Sequence, residues 1–141
     1  MSLFLPLRRA TLLIPSGPAH DVDRKHLFIL LTDPVVNPDD GKQSVILTSL
    51  SSLDPALPHD PTCILSPGDH PFVTRASFVN YRYSRIMEGQ KILNGVKSGL
   101  FVPMDPMDAN VFARICKGLS DSRNTVPKIM RFFEICNATP G

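Results

Sequence analysis

The apolar residues of this chain come in short runs, each closed off by proline, glycine or aspartate, and this punctuation restricts the fold more than any other feature. RATLLI (Arg9 to Ile14) stops at Pro15, Gly17 and Pro18, and LFILL (Leu27 to Leu31) stops at Asp33 and Pro34. Runs of that length favour buried strands over helices. SVILTSL (Ser44 to Leu50), with its β-branched residues, reads as a third strand and TCIL (Thr62 to Leu65) as a short fourth. Ser77 to Met87 (SFVNYRYSRIM) reads as a fifth, in which Phe78, Asn80, Arg82 and Ser84 alternate with Val79, Tyr81, Tyr83 and Arg85. Neither of its faces is purely apolar, which suits a strand with one side toward a functional groove or a partner. Leu100 to Val102 adds a further short strand. The connecting segments PSGPAHDVDRKH, DPVVNPDDGKQ, Ser51 to Pro61 and SPGDHP are rich in turn residues and read as loops.

Helical periodicity comes late in the chain. Asp105 is placed as an N-cap with Pro106 at the first helical position, and Met107, Val111, Phe112, Ile115 and Leu119 recur at three- and four-residue spacing. Pro127 can start a shorter helix, KIMRFFEIC, ahead of a frayed tail. Several short strands without helices between them, followed by helices, predict a mainly β domain with C-terminal helices, its sheet closed into a small, SH3-like, largely antiparallel barrel. The barrel is expected over about 8–103 and the helices over about 105–119 and 127–136. At 141 residues, 43% hydrophobic, the chain suits one domain with one core.

No apolar stretch approaches the length of a membrane span. The start MSLFLPLRRATLLIP lacks the order of a secretory signal, so a soluble, cytoplasmic protein is expected. Cys63, Cys116 and Cys136 are odd in number and form no CxxC pair, which speaks for apolar filling rather than a disulfide framework or zinc site. The net charge of +2 permits a nucleic-acid partner without demanding one. Basic residues cluster at Arg8/Arg9, Arg24/Lys25, Arg75, Arg82/Arg85 and Lys91/Lys97, while Asp33 to Asp69 is largely acidic or neutral. Phosphate-loop, dinucleotide, zinc-protease and nucleophile-elbow signatures are absent. His20, His26, His59 and His70 all sit in or beside loops, with no helical HxxxH pair to hold a metal. The inventory of imidazoles, cations and hydroxyls is what metal-free RNA cleavage requires: a base for the 2′-hydroxyl proton, an acid for the leaving oxygen, and groups for the phosphorane charge.

The order of segments resembles the MazF/PemK/Kid group of toxin ribonucleases of bacterial toxin-antitoxin systems. TLLIPSGPAHDVDRKHLFILLTDP has the layout of that group's first strand, polar loop, basic residue and apolar strand; SVILTSLSS is similar to its next strand, which ends in Thr/Ser. DPTCILSPGD, SFVNYRYSRI and MDANVFARICKGL follow in the order of the later strand and turn, the long strand bearing active-site groups, and the closing helix. The similarity spans roughly Arg9 to Ser120 and rests on order and character rather than on an invariant motif.

The resemblance implies a homodimer whose groove takes single-stranded RNA and cleaves it without metal or cofactor, and an antitoxin protein that covers the groove. Carried over by position, the family's loop histidine falls on His20, its arginine before the apolar strand on Arg24 or Lys25, and its Thr/Ser at the strand end on Ser51 or Ser52. His26 replaces the proline that usually follows. Where some members place an arginine and an aspartate two apart, this chain has Asn80 and Arg82, so proton transfer would have to fall to His20, His26 or His70; the reading adopted gives it to His20 or His70, with Arg24 or Lys25 stabilising the phosphorane and Ser51 or Ser52 holding the phosphate. Arg82 and Arg85 are then backbone contacts. Tyr81 and Tyr83 either stack bases or complete the core or a dimer interface, and Asp69-His70 is either an oriented imidazole or a turn. The rivals are a non-catalytic barrel that binds nucleic acid or protein, and a purely structural one.

Overall fold

Leu27, Phe28, Ile29, Leu30 and Leu31 are all buried, and such an unbroken run is what a strand shows when both of its faces are covered. Leu27, Ile29 and Leu31 enter one core with Ile46, Leu50, Val79, Tyr81 and the apolar stripe of the C-terminal helices. Phe28 and Leu30 point the other way, into a second core with Leu12, Ile14, Val45, Leu47, Ile92 and Phe101. Side-chain alternation along one strand therefore feeds two cores rather than one core and solvent.

The computed structural model describes residues 3–16 and 25–138. Its strands are β1 (Thr11–Pro15), β2 (Lys25–Leu30), β3 (Val35–Val36), β4 (Gln43–Ser52), β5 (Ile64–Leu65), β6 (Ser77–Val79), β7 (Arg85–Glu88) and β8 (Val102–Met104). Helix α1 (Gly89–Lys97) sits between β7 and β8, and α2 (Ala109–Asp121) and α3 (Pro127–Ala138) close the chain. Every pairing is antiparallel. The hydrogen-bonded path runs β5-β6-β4-β2-β1-β8, with β3 and β7 also on β4. The protein is thus mainly β with mostly C-terminal helices, as the run lengths predict, but the sheet is not closed into a barrel: β5 and β8 stand at its two ends. Among the described residues no helix is long and apolar enough to cross a membrane.

Three local expectations are corrected. The segment 77–87 is not one strand. β6 pairs with β4 at Leu50–Ser52 and β7 pairs with β4 at Ser44–Leu47, and between them Tyr81–Tyr83 form a turn of 3-10 helix. The break drives Tyr81 into the core, where its hydroxyl donates to the Ile115 carbonyl of α2 at 2.8 Å. Helix α1 lies between strands that were expected to follow one another without a helix: Ile92 is buried, and Gly95 lets the Phe101 ring lie against the helix. Two glycines and an N-cap, Glu88, that makes no capping hydrogen bond hide this helix from a propensity reading. Gly99, at φ +81°, ends it in a left-handed turn suited to glycine. Finally, α2 starts later than the proline suggests. Asp108, not Asp105, is the N-cap and accepts from the amides of Asn110 and Val111, while the Asp105 carbonyl is taken up by Thr11 and His70.

Arg9, part of a basic pair in the sequence, has a structural use. It adopts a left-handed φ of 76°, its amide donates to Leu30, its carbonyl accepts from Met107 and its Nε donates to the Met107 carbonyl at 2.8 Å. These bonds tie the start of β1 to the approach to α2. The three cysteines are free; burial pushes the Cys63 and Cys136 thiols up, and that of Cys116 up to about 11, so none is a ready thiolate.

Candidate functional site

The ladder between β2 and β4 covers only Phe28–Leu30 against Leu47–Ser49. Before it, Lys25–Leu27 stay with β1; beyond it, Leu50–Ser52 turn to β6. Two depressions of about 530 and 450 Å³ lie at this parting, within the range of small-ligand sites, and share His26. Because neighbours on a strand point to opposite faces, Ser51 lines the first and Ser52 the second.

The first depression gathers Ser16, His26, Phe28, Ser49, Ser51 and the residues Asn80 and Arg82–Arg85. The Arg85 guanidinium lies 5.1 Å from the centre of the Phe28 ring, a cation–π contact that restrains the charge. Ser84 donates to the Thr48 hydroxyl at 3.0 Å. The 3-10 turn lifts Tyr83 out of the sheet, leaving it 62% exposed. His26 Nδ1 is hydrogen-bonded to the Ser16 hydroxyl, among its partners. Arg82 donates to Asn124 Oδ1 at 3.3 Å, and Asn124 in turn donates to Asp60 at 3.1 Å. Burial works to raise the Asp60 pKa, but hydrogen bonds from Ser122, Thr62 and Asn124 outweigh it and hold the carboxyl below its ordinary value.

The second depression has Lys25, Ser52, Thr74, Arg75 and Ser77 around an apolar floor of Leu27, Leu50 and Val73, with Phe72 at its side. Among the described residues lining the two, the side chains of fixed charge are Arg82, Arg85, Lys25 and Arg75, and none is a carboxylate. Such a lining favours an anion.

The residues singled out in the sequence therefore divide. Ser51, Asn80, Arg82 and Arg85 meet in the first depression; Lys25 and Ser52 belong to the second. His20 and Arg24 lie outside the described residues. Tyr81, a candidate either for stacking bases or for completing the core, is a core residue at 0% exposure, which removes it from the RNA-binding candidates. His70 is 1% exposed and lines neither depression. Its Nδ1 accepts from the Phe72 amide at 3.0 Å, which assigns the ring proton to Nε2 for donation to the Asp105 carbonyl at 2.6 Å. Both nitrogens are used to join the turn after β5 to the approach to α2. His70→Ala leaves the Phe72 amide without this acceptor and is expected to cost about 1–3 kcal/mol of stability, read by thermal unfolding. An unchanged unfolding midpoint would mean that the two hydrogen bonds of the ring do not stabilise the fold.

Phe28, Phe72 and Arg75 were not legible as site residues. Phe28 reads as one more apolar residue of a core strand, and Phe72 and Arg75 sit in irregular backbone whose position depends on β6 folding back along β4. No family model, curated protein or solved structure matches this chain.

Proposed function

We propose that the chain binds single-stranded RNA in the first depression and cleaves it by attack of a 2′-hydroxyl on the adjacent phosphate. The observation that carries this reading is the convergence of His26, Arg82, Arg85 and the exposed Tyr83 around a depression with no lining carboxylate. Tyr83 offers a face on which a base can stack, the arginines attract the phosphate and the phosphorane charge, and Ser51 donates to a phosphate oxygen. His26 removes the 2′ proton; the O2′–P bond forms as the P–O5′ bond breaks, and the departing 5′-oxygen is protonated by water at this open site. The products are a 2′,3′-cyclic phosphate and a 5′-hydroxyl. On this reading the open sheet is a variant of the small SH3-like barrel of the MazF/PemK/Kid group, and the protein works in the cytoplasm as a homodimer neutralised by an antitoxin.

A second reading has its own support. Asn80 stands where an acid would serve, which favours a module that binds RNA without cutting it. One experiment separates the two: incubation with a long single-stranded RNA, with and without EDTA, and analysis of fragment ends. Discrete EDTA-resistant fragments ending in cyclic phosphate support the ribonuclease; salt-sensitive binding without product supports the module; neither overturns both. Arg85→Ala is expected to weaken binding and to reduce the slope of log affinity against log salt by about 1, measured by fluorescence anisotropy.

A further inference from the structure

We infer that the second depression is a subsite for the neighbouring nucleotides of the same RNA strand, so that the protein's footprint continues past His26 onto Lys25, Arg75 and Phe72. The inference rests on the RNA reading of the first depression and extends it.

Three observations converge. The two depressions meet at His26, which lines both, and Ser51 and Ser52, adjacent on β4, set one on each side of the strand. An RNA strand that rounds the parting of β2 and β4 at His26 passes from the first depression into the second. The charge has the sign a phosphodiester requires. Lys25 and Arg75 are the charged groups among the described lining residues, and both are exposed and without a salt bridge of 4.0 Å or less among those described. Among the described residues no carboxylate lies close enough to cancel their charge. The third is Phe72, 41% exposed beside an apolar floor. An exposed phenyl ring next to cations and hydroxyls is the combination that single-strand sites use, the ring stacking a base while the cations follow the backbone. Thr74 and Ser77 add hydroxyls for phosphate or sugar oxygens.

The structure also accounts for the placement. Phe72 is fixed at its backbone by the bond from its amide to buried His70, and Ser77, opposite Ser52 in the β4–β6 ladder, anchors the segment that carries Arg75. The subsite thus stands on the sheet at one end and on the His70 pin at the other.

The test uses oligouridylates of two to eight nucleotides with 2′-deoxy sugars, which cannot be cleaved by 2′ attack, and anisotropy titrations against the full chain. Wild type is expected to gain roughly ten-fold in affinity as the oligomer grows long enough to span both depressions, a gain typical of one added stacked base. Arg75→Ala and, independently, Phe72→Ala are expected to remove that gain. Both side chains are exposed, and equal circular dichroism spectra check that the variants fold as wild type does. A wild-type affinity that does not rise with length, or a rise that both variants keep, overturns the subsite while leaving the first depression as the RNA site. Absence of binding at every length, both for these oligomers and for the all-ribose oligouridylates titrated against His26→Gln, overturns the RNA reading and the subsite together.

Discussion

Replacing His26 by glutamine is expected to lower RNA cleavage by about 10²–10⁴-fold, the usual contribution of a positioned general base, while RNA is still bound. Glutamine keeps a polar planar group for the Ser16 contact but cannot take a proton. The loss should therefore fall on the single-turnover rate and not on affinity. His26 is the one histidine among the described residues that lines the first depression; His59 stands against the Phe78 ring at 5.5 Å, and His70 is committed to backbone partners. Single-turnover kinetics of wild type, His26→Gln and His70→Ala, each normalised to folded protein, check the assignment. If His26→Gln cleaves at the wild-type rate, the base is another group and the mechanism given above fails.

The second large effect concerns the link between helix and site. Tyr81→Ala is expected to cost about 3–5 kcal/mol, the usual range for truncating a buried aromatic. That is much of the total stability of an ordinary domain, and the variant should be largely unfolded at modest urea concentrations. The same contact can be attacked from its other side. A Cβ added at Gly118 would lie 2.0 Å from the Tyr81 hydroxyl oxygen and 2.7 Å from Cζ, so Gly118→Ala forces α2 or the tyrosine to move at about 1–3 kcal/mol. Tyr81 and Gly118 share one contact, and their effects should not add. In particular, Tyr81→Phe removes the closest atom and should make Gly118→Ala cheaper. Chemical denaturation of the single and double variants measures the coupling, and strict additivity would mean that the close approach carries no strain. Because Tyr81 anchors the turn that presents Arg82 and Tyr83, Gly118→Ala should also weaken RNA binding from a position that no ligand touches.

Much of the scaffold was legible in the residues. RATLLI, LFILL and SVILTSL are strands because short apolar runs cut off by proline and aspartate cannot make helices long enough to bury them, and Val111, Ile115 and Leu119 mark the buried side of α2 because local helical geometry dictates their spacing. The candidates Ser51, Asn80, Arg82 and Arg85 were named through the resemblance in segment order, and the fold brings these four to one depression. What lay beyond the sequence is non-local. A run of five apolar residues has the same appearance whether it lines one core or divides itself between two, so the second core and the open sheet were not visible. Tyr81 and Tyr83 have equal local claims to a groove, and only the packing of α2 sends the first to a carbonyl in the core and leaves the second in solvent. His26 and His70 are alike as imidazoles beside loops. The parting of β2 from β4 sets His26 between two cationic depressions, while the backbone groups around His70 occupy both of its nitrogens, because burial obliges every polar atom to find a partner.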